Sequence, residues 1–146
     1  YGVPVLNNRG EVGFAGTGGI LVSDGKRTRV VVDANAFAGF AAPDLHPLIS
    51  GQYLSLNDRG NVAFMALLDN GDVGIFTGPD VVSDKVIATG DPLAGSSVSD
   101  TSIFLFPPLY MSRQSLNNNG QIVFQATLVD GRIVIVRAEP KKQLVN

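Results

Sequence analysis

One phrase occurs three times in this chain and limits what it can fold into. "VLNNRGEVGFAG" (Val5 to Gly16), "SLNDRGNVAFMA" (Ser55 to Ala66) and "SLNNNGQIVFQA" (Ser115 to Ala126) share the core Leu-Asn-x-x-Gly-x-Val/Ile-x-Phe. The phrase asparagines are Asn7, Asn57 and Asn117, at spacings of 50 and 60 residues. Periods in this range mark propeller blades or solenoid units. Each phrase position has a physical reason. The asparagine side chain can bond the backbone two residues on. The glycines Gly10, Gly60 and Gly120 can take positive φ and close a tight hairpin. Val/Ile and the phenylalanines Phe14, Phe64 and Phe124 then alternate with other residues at period two, which is a strand. The intervening Gly13, Ala63 and Val123 carry no charge, so the second face of this strand is expected to be covered as well.

The likeness continues downstream. Asn70-Gly71 and Asp130-Gly131 each follow the phrase phenylalanine at the same distance and read as hairpin turns. The next strand is Gly74-Ile75-Phe76 in the second copy, Val134-Ile135-Val136 in the third and Gly19-Ile20-Leu21 in the first. A further strand is expected at Val30–Val32 and at Val86–Ala88, with Gln143–Val145 a weak counterpart in the third copy. Upstream strands are expected at Pro4–Leu6, Tyr53–Leu56 and Arg113–Leu116. The connections Ala34–Gln52 and Pro92–Ser112 read as long loops. No apolar set recurs at helical spacing. The expectation is one all-β domain over residues 1–146. It is a propeller-like tandem repeat of about three units, each of three to four antiparallel strands. The units cover about residues 3–38, 50–91 and 110–146.

Asn7-Asn8-Arg9-Gly10 with Phe14, Asn57-Asp58-Arg59-Gly60 with Phe64, and Asn117-Asn118-Asn119-Gly120 with Phe124 spell one signature three times. With it the chain resembles the bacterial tandem-repeat proteins named for an NxxGxxxF signature. "ATGDPLAG" (Ala88 to Gly95) looks like the phrase that joins repeats in that family. The resemblance spans about Val5 to Val136. It implies a propeller-like all-β architecture and an extracellular or cell-surface setting, often with a C-terminal sorting anchor. It brings no catalytic residue. The chain departs from that pattern in having three units, few for a closed ring, and no anchor after Val145.

Composition narrows the function classes. Hydrophobic residues make up 45% and charged residues 16%, which favours a folded core over disorder. Eleven Lys and Arg against thirteen Asp and Glu leave a net charge of −2, with no basic footprint for nucleic acid. The one basic cluster, Lys26, Arg27 and Arg29, lies between Asp24 and Asp33. The chain has no cysteine, hence no disulfide or thiolate metal site. No apolar run reaches the length of a membrane-spanning helix. The first residue is Tyr1 rather than methionine, which fits a removed leader or a piece of a longer chain.

The polar candidates for chemistry have simpler explanations. His46, the single histidine, sits on a loop near Asp44, without the second His or Cys that a transition-metal site needs. "DNGD" (Asp69 to Asp72) suits a hairpin turn better than a calcium loop, whose late Glu it lacks. "GTGG" (Gly16 to Gly19) lacks the Lys-Ser/Thr of a phosphate cradle. Ser50, Ser96, Ser97, Ser112 and Ser115 lie outside any nucleophile-elbow pattern. Asp33 and Asp91 occupy equivalent repeat positions, which argues for structural roles. Phe37, Phe40 and Tyr110 lie off the repeat and read as core or interface residues rather than a sugar platform. No catalytic, metal or cofactor residue is therefore assigned.

Three blades leave two exposed sheet faces, and water penalises both. Three solutions stand open: a longer propeller of which this is a part, two chains closing a six-bladed ring, or units stacking end to end. The apolar segment Ile103, Phe104, Leu105, Phe106, Leu109 and Tyr110 is the expected interface. The expected partners are other copies or the remaining blades of a longer chain. The leading functional expectation is a non-enzymatic, self-associating surface or matrix protein. The alternative is a glycan- or protein-binding module that uses the two long loops.

Overall fold

The structure is a computed structural model, and it describes residues 3–16, 19–33, 53–68, 70–100 and 107–140. The described residues form thirteen short strands in small antiparallel sheets, with no α-helix among them. The first sheet contains β1 (Val5–Leu6), β2 (Val12–Gly16), β3 (Gly19–Ser23) and β4 (Thr28–Asp33) in that order. The second contains β5 (Leu54–Leu56), β6 (Val62–Leu67), β7 (Val73–Phe76) and β8 (Lys85–Ala88). A two-stranded hairpin follows, β9 (Pro92–Leu93) with β10 (Ser96–Ser97). The third sheet contains β11 (Leu109–Tyr110), β12 (Ile122–Thr127) and β13 (Ile133–Ala138).

Each phrase makes one hairpin. The backbone N–H of Asn7, Asn57 and Asn117 donates to the carbonyl four residues on, while Gly10, Gly60 and Gly120 donate back to the asparagine carbonyl. These glycines have φ of 80°, 77° and 79°, the left-handed conformation that a bulged three-residue hairpin loop needs. The second turn of each later unit repeats the design. Leu68 and Leu128 donate four residues on, and Gly71 and Gly131 donate back to them at positive φ.

Registers are equivalent across copies: Phe14 pairs with Leu21, Phe64 with Phe76, and Phe124 with Val136. Every central strand therefore has the same two faces. A near face carries the phrase phenylalanine, and a far face carries Gly13, Ala63 or Val123. The sheets pack near face on far face. Val5, Ile20, Val22 and Val32 of the first sheet meet Leu54, Leu56, Val62, Phe64 and Phe76 of the second. Ala63, Met65, Val73 and Ile75 of the second meet Leu116, Ile122, Phe124 and Ala126 of the third. The second sheet is thus buried on both faces, as the apolar character of "VAFMAL" requires. Phe64 and Phe76 lie 5.9 Å apart at their ring centroids, both fully buried.

Three sequence expectations are corrected. The third upstream strand is not Arg113–Leu116. Ser112 N–H donates to Ser115 Oγ, and Ser115 N–H donates to the Ser112 carbonyl, so the chain turns there. Only Leu116 keeps a bridge, to Ile122, and Leu109–Tyr110 supplies the edge strand instead. The connection Pro92–Ser112 is not wholly loop. It begins with the β9–β10 hairpin, whose end crosses to the third sheet through a Val98–Leu128 bridge. Finally, the third far face is open: Val123 is 46% exposed, whereas Ala63 is fully buried.

Two stability changes follow. Phe64→Ala is expected to lose about 3–5 kcal/mol in denaturant unfolding, because a fully buried ring leaves a cavity between two sheets. Ala94, at the β9–β10 turn, has φ of 51°, and Ala94→Gly is expected to gain about 1 kcal/mol in the same assay.

Candidate functional site

The repeat asparagines do more than turn the chain. Asn7 Oδ1 accepts from the N–H of Arg9 at 3.0 Å and of Glu11 at 2.9 Å. Asn57 Oδ1 accepts from Arg59 and Asn61, and Asn117 Oδ1 from Asn119 and Gln121. That half is the Asx turn expected from the sequence. The amide nitrogen supplies a second half. Asn7 Nδ2 donates to the Asn57 carbonyl at 2.9 Å, and Asn57 Nδ2 donates to the Asn117 carbonyl at 3.0 Å. The three hairpins are joined by a ladder with one polarity, from each unit to the next. The signal for it was present in the sequence. An Asx turn needs only an acceptor, which aspartate supplies, yet all three positions hold asparagine, which also donates.

A second ladder runs beside the first. Asn8 N–H donates to Asp58 Oδ1, and Asp58 N–H donates to Asn118 Oδ1, each at 2.8 Å. Asp58 Oδ2 accepts from the side-chain amides of both Asn118 and Asn8. The Asn118 amide, then the Asn8 amide and backbone N–H, hold the Asp58 carboxyl below the usual carboxylate range. Asn here would present an N–H₂ group to two donors, so aspartate at the middle position alone satisfies both neighbours. Arg29 adds a tie from the first sheet to the carbonyl of Gly60. Between the second and third sheets, buried Ser55 Oγ accepts from Leu116 N–H and donates to the Arg113 carbonyl.

The apolar ends carry the contrast. Far-face positions Ile20 and Ile75 are 1% and 0% exposed, but their equivalent Ile135 is 72% exposed. Near-face positions Leu56 and Leu116 are each 7% exposed, but Leu6 is 70% exposed. Val123 and Ile133 widen the open far face, and half-buried Phe14 and Leu21 widen the open near face. A cleft of ≈660 Å³ lies between the second and third sheets, with Asp84, Lys85, Glu139 and Asn61 on its wall.

The sequence-derived interface divides. Leu109 is fully buried in the core between the second and third sheets, so it is a core residue rather than a surface one. Tyr110 is 47% exposed and meets Tyr53 edge-on at 5.9 Å. Ile103, Phe104, Leu105 and Phe106 lie outside the described residues, as do Phe37, Phe40, Asp44, His46, Ser50, Asp69 and Gln143–Val145. Among the described residues no group of three His, Cys, Asp or Glu is placed to hold a metal, and no helix is long and apolar enough to cross a membrane. Asn70 and Asp72 bond one another within a turn. Asp91 accepts from Ala88 N–H and pairs with Lys85 at 2.9 Å, a role within the unit.

Asn57→Asp keeps the Asx turn but loses the rung to Asn117, and is expected to lose about 1–3 kcal/mol at neutral pH. Asp58 reports on acid. Its lowered folded value means that its contribution is full above the ordinary aspartate value, about pH 4, and drains away as pH falls through the lowered one. The stability gap between the wild type and Asp58→Ala, read by thermal unfolding, is expected to close in that acid range and not above it.

No curated protein and no solved structure matches the chain. A family model matches residues 1–134, and the chain belongs to that family, DUF7453, a family of unknown function.

Proposed function

We propose that this is an extracellular or cell-surface structural protein of propeller-like repeats, which acts by assembling with further units of its own kind. One observation carries the reading. At its two ends the stack exposes the positions that are closed inside it: Leu6 at one end, Ile133 and Ile135 at the other. Monomeric proteins seldom leave such apolar faces to water. The NxxGxxxF resemblance supports the extracellular setting and the propeller-like reading. No residue is assigned a catalytic role, and no nucleic acid is invoked as a partner.

The cleft beside Lys85 and Glu139 favours a second reading, a binding module for a polar ligand such as a glycan. Light scattering separates the two, with negative-stain microscopy of the same sample. The assembly reading expects a mass above that of one chain at micromolar concentration, with rings or filaments in the images. A monomer throughout the concentration series overturns it and directs attention to the cleft.

A further inference from the structure

The two open ends differ, and they match. At the third-sheet end, Asn117 and Asn118 are exposed, whereas Asn7 and Asn57 are buried. Asn117 Nδ2 donates to Gln121 Oε1 alone, where Asn7 and Asn57 each have a rung to the next unit. The Asn118 N–H meets no acceptor among the described residues, whereas Asn8 N–H and Asp58 N–H each donate to the next unit. At the first-sheet end the complementary acceptors take no bond from another unit among the described residues. Among the described residues the Asn7 carbonyl accepts from Gly10 N–H and from no other unit, whereas the carbonyls of Asn57 and Asn117 accept both kinds of donor. Among the described residues Asn8 Oδ1 accepts no N–H from a preceding unit, although Asp58 Oδ1 and Asn118 Oδ1 both do. One end therefore presents two ladder donors beside an apolar far face. The other presents two ladder acceptors beside an apolar near face.

We propose that a second copy of this chain docks head to tail, its first sheet on the third sheet of the first copy. The junction repeats those already made twice within the chain. Asn117 Nδ2 donates to the Asn7 carbonyl of the second copy, and Asn118 N–H donates to that copy's Asn8 Oδ1. Ile133 and Ile135 meet its Leu6 and Phe14. The proposal deepens the assembly reading and rests on it. What it adds is polarity. Two like ends would bring donors to donors and far face to far face, which no junction within the chain does. A head-to-tail contact closes into a ring if its rotation allows and otherwise extends into a filament.

Sedimentation velocity on the wild type and on end-blocked variants tests this. Leu6→Lys blocks one end and Ile135→Lys the other. Both side chains are exposed, and circular dichroism confirms the fold of each variant. Ile133→Lys stands in should Ile135→Lys fail to fold. The expected result is a wild type whose mass grows with concentration, two variants that are each monomeric alone, and an equimolar mixture that forms dimers and nothing larger. A blocked variant that still dimerises alone overturns head-to-tail polarity while leaving self-assembly in place. A mixture that stays monomeric overturns it equally. A monomeric wild type overturns the second copy as occupant together with the assembly reading, and leaves the faces to further repeats of a longer chain. Asn117→Asp keeps the Asx turn and removes the donor, so it is expected to weaken the junction about tenfold. Unchanged association overturns the ladder's part in it.

Discussion

The rest of the structure depends on a bond between an asparagine side-chain amide and a backbone carbonyl in the next repeat. Asn57 is the clearest case. Its oxygen fixes its own hairpin through Arg59 and Asn61, and its nitrogen fixes the third hairpin through the Asn117 carbonyl. The side chain is 3% exposed, so leaving either atom unmatched would strand a buried polar group. A single residue thus links local turn geometry to the relative placement of two sheets. Hydrophobic packing alone gives no such register, because apolar faces slide at little expense. The rung does, because a hydrogen bond weakens steeply outside a narrow range of distance and angle.

With the turns registered, the sheets bring equivalent positions into equivalent surroundings, and the sequence differences between copies become interpretable. The far face reads Gly13 and Ala15, then Ala63 and Met65, then Val123 and Gln125. A side chain added at Gly13 would stand 3.0 Å from Val5 on the neighbouring strand and at ordinary contact, 3.5 Å, from Leu56 of the second sheet, so the crowding there comes from within the first sheet. Ala63 holds the equivalent position one sheet later and is fully buried. Val123 and Gln125 face no further sheet among the described residues and are larger or more polar. On the near face, Phe64 and Phe124 are buried by the preceding sheet, and Phe14, with no preceding sheet among the described residues, is half-buried.

Much of this was legible in the residues. The thrice-repeated phrase specified three hairpins, their glycine turns and the two-faced central strand, because each of those is set by near neighbours in the chain. The cross-repeat rungs were less legible, since their acceptors lie 50 and 60 residues away and no local pattern names them. Within the apolar segment expected as an interface, Leu109 was misplaced for a related reason. Hydrophobicity marks burial without saying where, and Leu109 and Met111 are spent between the second and third sheets. The edge strand of the third sheet was misplaced because Ser112 and Ser115 bond each other, a local competition that extended pairing loses. The hairpin at "DPLAGSS" was hidden by its composition, with a left-handed alanine where glycine or asparagine is the usual sign.

The exposed far face of the third sheet differs in composition from the equivalent face buried within the chain. On the second sheet that face carries buried Ala63, Met65, Val73 and Ile75, with Ser55 its one polar residue among these pairings, bonded to the third unit. On the third sheet Ile133 and Ile135 alternate across the strand pair with Gln125, Thr127 and Arg137, through the pairings of Gln125 with Ile135 and Val123 with Arg137. Such a mixed surface has the composition of a non-obligate interface, whereas the face of the second sheet has that of a core. Burying it would gain less apolar area per residue, so the directional ladder contacts would carry a larger share of the junction's specificity. The same geometry thus serves two purposes. Inside the chain it makes a permanent core. On the third sheet it leaves Ile133 and Ile135 exposed, on the face where the proposed junction would form.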